Sequence, residues 1–245
     1  MRVLFSGPAQ GIECCGQWAP HCFTSRKRGW PGDRRSPGQR EKRQVHMVVD
    51  SGDAQAFRLP RGIRPGPQST VVPREGYRHG VFKDGGRKVP MLAATVSAER
   101  LFEVFTDLLG AFTDTVDVYL QRHAGGENSR EMLREGVELP VLLSHLYGAE
   151  DLLVDDGATG LVVCASHGQP MTEVHFDDHK ALIVYAYNLT PFMEVLEEHQ
   201  IRRDPGHRLI LEEQHIHLEI PDGESAFDQF ACELSMMPVP EKVRK

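Results

Sequence analysis

From Val89 onward, apolar and polar residues alternate in regular blocks, and each block predicts an element. "KVPMLAATV" is a short apolar run that reads as a strand. Ser97 then stands where a helix cap is preferred, ahead of "AERLFEVFTDLLG". Leu101, Phe102, Val104, Phe105, Leu108 and Leu109 recur at the spacing of one buried helical face, and Gly110 is a stop. Residues 115–121, "TVDVYLQ", alternate strictly and predict a half-buried strand. Asn128 with Glu131 three residues later forms a capping-box pattern. It predicts a helix carrying Met132, Leu133 and Val137, with Pro140 opening a second helical piece, "PVLLSHLYG".

Three strand patterns follow in close order: 159–165, "TEVHF" and "KALIVYAY". The connections are short, so the pairing is antiparallel, a β-meander. The third strand is apolar on both faces and should be central and covered. "TPFMEVLEEHQ" predicts a helix with Pro191 in its first turn. "RLILEEQHIHLEI", 208–220, reads as one long strand. A last helix over 225–235 presents Phe227, Phe230, Ala231 and Leu234 on one side. Strands and helices are partly segregated. The fold class is therefore α+β: a mainly antiparallel sheet including the three-strand meander, with helices packed on at least one face. The single domain runs 89–237, and 238–245 is a frayed tail.

Charge divides the 245-residue chain at the same place. Residues 1–88 hold 17 Lys/Arg against 7 Asp/Glu; residues 89–245 hold 11 against 28. The first part is rich in Arg, Gly and Pro without periodicity, and reads as a disordered basic segment. Both tryptophans, Trp18 and Trp30, fall among its prolines and glycines, where no core can hold them. The reading adopted for 1–46 is an upstream start-site artefact, with Met47 as the natural start. The competing reading is a tail in which Arg26, Lys27, Arg28, Arg34, Arg35, Arg40, Lys42 and Arg43 bind nucleic acid. The net negative domain behind it argues against that. Cys14, Cys15, His21 and Cys22 lack the paired spacing of a zinc site. No run of about 18 apolar residues predicts a membrane span, and the interrupted start gives no signal peptide. A cytoplasmic protein is the expectation, with Cys164 and Cys232 as buried thiols.

Motifs that would name a chemistry are missing. There is no phosphate-binding glycine loop opening a helix, no G-x-S-x-G and no H-E-x-x-H. Cys164 and His167 are neighbours in sequence only, and His145 lies in an apolar stretch as a packed residue. The concentrated feature is a histidine–carboxylate set. On a strand over 208–220, Glu213, His215, His217 and Glu219 share a face; on "TEVHF", Glu173 and His175 share one. If the two faces met, His175, His215, His217, Glu173, Glu213 and Glu219 would be candidate ligands for a divalent transition metal. Asp177, Asp178 and His179 read as the hairpin turn between strands. The alternative leaves those faces in water, or against a partner.

The leading expectation is a non-enzymatic binding or self-association module, with no cofactor and with a protein partner or second copy. The second is a metal-binding protein or metal-dependent enzyme built on the His/Glu set. The third is nucleic-acid binding through the basic arm.

Overall fold

The helix predicted after Ser97 forms as read. Helix α1 runs Ala98–Leu109, and all six residues of its apolar face are buried. Ser97 does not cap through its side chain; its hydroxyl accepts the Arg58 backbone N–H instead. The computed structural model describes residues 3–6, 57–84, 87–113, 115–123, 129–166 and 171–239. Cys14, Cys15, Trp18, His21, Cys22, Trp30, Met47 and the basic residues 26–43 lie outside them, as does His167.

The strands are β1 (Val3–Ser6), β2 (Ile63–Pro65), β3 (Gly76–Asp84), β4 (Arg87–Thr95), β5 (Thr115–His123), β6 (Ser129–Glu138), β7 (Thr159–Ala165), β8 (Thr172–Phe176), β9 (Ala181–Ala186), β10 (His215–Leu218) and β11 (Met237–Pro238). The further helices are α2 (Leu139–Leu146), α3 (Glu150–Asp155), α4 (Thr190–Glu198) and α5 (Gly223–Glu233). The main sheet has eight strands in the order β11-β6-β5-β7-β8-β9-β4-β3, every neighbour antiparallel. The meander β7-β8-β9 sits in the middle of it. The α+β expectation holds: among the described residues, apolar residues of all five helices pack on one face, against Val163, Val174, Phe176, Leu182 and Val184. Phe105 of α1 meets Phe176 of β8 edge-on, with ring centroids 5.1 Å apart. Each such buried side chain contributes roughly 1.5–3 kcal/mol.

Four local expectations fail, each for a tertiary reason. Residues 129–138 form β6, not a helix. Their helix-favouring Glu, Arg, Met and Leu are overridden by pairing along β5, from Thr115↔Glu138 to His123↔Ser129. Asp117 accepts the Gly136 N–H at 2.8 Å beside an irregularity in that register. Second, the folded unit does not begin at residue 89: β3 pairs with β4 along its whole length, so the charge boundary falls inside a hairpin. At the other end Pro238, assigned to the frayed tail, is paired to β6. Third, 208–220 is not one strand. A 3₁₀ turn at Ile210–Glu212 places Leu209 against the second face of the main sheet, and only His215–Leu218 remain extended. Fourth, Cys164 is buried but Cys232 is exposed, on the outer side of α5.

The short β10 belongs to a separate three-stranded sheet, between β1 and β2. This small sheet reaches the main one at the turn after α3. There Gly157 donates its N–H to the Leu218 carbonyl and the Gly62 carbonyl accepts the Leu218 N–H, both at 2.9 Å. A Cβ on Gly157 would stand 2.0 Å from the Gly62 oxygen, so backbone crosses backbone with no room for a side chain.

Candidate metal centre

Three segments deliver the site: the β8–β9 hairpin turn, strand β10 and the end of β5. In the turn, the Asp177 carbonyl accepts the Lys180 N–H and the Asp177 N–H donates to Ala181. The Asp177 carboxylate accepts the His179 backbone N–H at 2.8 Å. This side-chain-closed turn is the expected use of Asp. Lys180 takes a positive φ of 60° and turns its amine inward, donating to the Leu153 and Thr159 carbonyls at 2.7 and 2.9 Å. The turn is thereby fastened to the protein interior, and burial takes the Lys180 pKa down to about 8 against the pull of Asp178.

On β10 the histidines point inward and the apolar residues half outward, the reverse of a solvated His face. His215 and His217 are buried, while Ile216 and Leu218 are partly exposed. His179, from the turn, completes the group. Its ring centroid lies 4.6 Å from that of His215 and 4.8 Å from that of His217, and those two are 5.0 Å apart. One potential ligand atom from each of the three lies within 4.8 Å of the others.

Hydrogen bonds fix which nitrogen each ring offers. The Nδ1 of His215 lies 2.7 Å from the Glu213 carbonyl, and that of His217 contacts the Gly157 carbonyl. A carbonyl only accepts, so both Nδ1 atoms carry the proton. The Nδ1–H of His179 donates to Asp177, and Asp178 lies 2.8 Å from the same nitrogen. All three Nε2 atoms are left over. That of His215 is buried without a partner, an arrangement that costs about 1–3 kcal/mol unless something binds there.

The electrostatics are divided. Burial, reinforced by the charge on His179, takes the His215 pKa down to about 4. Burial also lowers His217, against the attraction of Asp178. Burial opposes charging His179 too, but Asp178 and Asp177 outweigh it and hold its pKa well above the ordinary histidine value. Asp178, although buried, is held well below the usual carboxylate range by His179 and His123. His123 closes the array: it ends β5 and donates from Nδ1 to Asp178 at 3.1 Å.

The six residues singled out in the sequence are divided among different places. His215 and His217 come together, joined by His179 rather than His175. Glu173 and His175 point to the sheet face away from the helices as a buried pair, 3.1 Å apart, with His175 edge-on to Tyr185. Glu213 accepts from Ser69, Thr70, Val71 and Arg208, tying the loop before β3; the Thr70 hydroxyl foremost takes its pKa to about 2. Glu219 pairs with Arg122 at 2.9 Å. Among the described residues the second close group of potential ligands is Asp177, Asp178 and His179. Sequence reasoning passed over His179, Asp178 and His123. Its one signal for them was the density of D-D-H in a turn between two buried strands.

Among the described residues no helix is long and apolar enough to cross a membrane. Compared with family models, curated proteins and solved structures, the chain matches none. Its function is therefore read from the side chains.

Proposed function

We propose that this chain is a metal-binding protein that holds one divalent transition-metal ion on the Nε2 atoms of His179, His215 and His217. One observation carries the reading: three buried or half-buried imidazoles converge, and each has its Nδ1–H already committed to an oxygen. Metal-bound histidines are held this way, with the second nitrogen donating to a carbonyl or carboxylate that fixes tautomer and ring angle. Imidazole ligation favours zinc, copper, nickel or iron. Zinc is the first choice, because three nitrogen donors suit its tetrahedral preference.

The alternative, a binding or self-association module without metal, must keep a buried Nε2 of His215 unpartnered. Metal analysis of the purified protein decides between them. The expectation is near-stoichiometric zinc or a related ion. The His215→Ala, His217→Ala double variant should fall below about a tenth of an equivalent while remaining folded by circular dichroism. Wild-type protein that stays metal-free after incubation with zinc and dialysis would sink the reading.

A further inference from the structure

This inference rests on the reading just given. We propose that the metal keeps an exchangeable fourth position, unfilled by the protein, which takes small anions from solution.

A structural zinc site is closed by four protein ligands, whereas a site with three protein ligands holds water or substrate in the fourth place. The acidic groups around this cluster are committed elsewhere. Asp177 and Asp178 meet His179 at Nδ1, so the imidazole ring stands between them and an ion on Nε2. The other oxygen of Asp178 is held by His123. Glu219 and Asp156 are drawn off by Arg122, and Glu213 by Thr70 and Arg208. Glu219 keeps its second oxygen, Oε1, buried without a partner, but among the described residues the close group of potential ligand atoms around His215 and His217 holds the three histidines and no carboxylate.

Charge points the same way. Three neutral imidazoles leave both positive charges of the ion uncompensated among its direct ligands, and burial makes an anion the favoured fourth donor. Access is one-sided: His179 is partly exposed, while His215 and His217 are buried. Solvent therefore reaches the cluster on the His179 side. The chemical class that fits is a small anion, or a substrate offering an anionic oxygen to the metal.

Cobalt substitution with azide as probe tests this. Cobalt(II) reports its coordination through its visible absorption bands, and azide binds only where a position exchanges. The expected result is stoichiometric cobalt in wild type with a spectrum that shifts saturably with azide, and the same azide shift in Asp178→Asn once enough cobalt is supplied to offset its weaker binding. Tightly bound cobalt with a spectrum indifferent to azide would overturn the inference and leave the metal reading standing. An azide response that appears only in Asp178→Asn would identify Asp178 as the fourth ligand and overturn it as well. Failure to bind cobalt or zinc at all would remove both.

Discussion

The ring of His217 is tied through its Nδ1–H to the carbonyl oxygen of Gly157, sixty residues earlier in the chain. The same glycine donates its N–H to Leu218 and packs against Gly62 without a side chain between them. A turn of the main sheet thus sets both the position of β10 and the tautomer of its second histidine. The two sheets and the histidine cluster are built as one unit.

Gly157→Ala should damage both. The added Cβ would meet the Gly62 carbonyl at 2.0 Å and the Leu218 nitrogen at 2.9 Å, and backbone cannot swing aside as a side chain would. The expected cost is roughly 1–3 kcal/mol, the usual range for overpacking. Zinc affinity should fall more than in Gly136→Ala, whose new Cβ meets nothing within 4 Å. Gly136 has a φ of 65°, so that control carries only the backbone penalty, about 1–2 kcal/mol. Denaturant midpoints and zinc titrations of the two variants check this. Equal zinc affinities would show that the Gly157 contact does not position His217.

Asp178→Asn should weaken metal binding without unfolding the protein. Asp178 joins His123 to His179 and draws positive charge onto the ring. An amide keeps the shape and loses the charge. Loss of such an outer partner typically costs 10–100-fold in metal affinity. Competition with a chromophoric chelator would measure it, and an unchanged dissociation constant would remove Asp178 from the site.

The chain's own pattern shows the fold more readily than the cluster. The meander and α1 are legible because their burial is continuous and local: each apolar residue of 101–109 repeats the same statement. β6 is not, because nothing in "SREMLREGVE" announces the β5 partner that decides its conformation. His215 and His217 stand out by their spacing, but the face they turn inward depends on Gly62 and Gly157 crossing, a contact between distant segments. His179 is correctly read as a turn residue. What sequence cannot convey is that the turn, fastened by Lys180 to the carbonyls of Leu153 and Thr159, ends against β10. His175, by contrast, has the right parity and the wrong face of the wrong sheet.

Arg122 and Asp156 form a buried ion pair beside the site, with side-chain exposures of 4% and 0%. Asp156 also accepts from the Thr159 hydroxyl at 2.6 Å and the Ile220 N–H at 3.1 Å, which anchors the chain just after β10. Asp156→Ala would leave the buried guanidinium with the partly exposed Glu219 carboxylate and the Thr159 hydroxyl. The expected loss is about 3–5 kcal/mol. Replacing both members together, Arg122→Met with Asp156→Leu, should cost less than the single change, since no charge is then stranded. Chemical denaturation of the three proteins measures it. A single variant within about 1 kcal/mol of wild type would contradict the assigned burial.

The response to pH should differ in sign between metal-free and metal-bound protein. In the metal-free state the His179 pKa is raised above its unfolded value by Asp178 and Asp177, against burial. Its contribution to stability is therefore fully present below the unfolded value of about 6.5 and is lost as pH rises through the raised one. Metal binding needs the Nε2 lone pair, so the ion must displace that proton. His215, at about 4, and His217, also lowered, are already neutral when His179 is charged and add little to the slope. Zinc affinity should then climb by at most tenfold per pH unit, for one displaced proton, below the raised His179 pKa, including the interval from about 6.5 up to it, and level off above. Over the same interval the metal-free melting temperature should decline. Zinc dissociation constants and thermal melts at matched pH values test both halves. An affinity that stays flat across this range would mean that the ion binds without displacing the His179 proton, and would remove His179 from the coordination set.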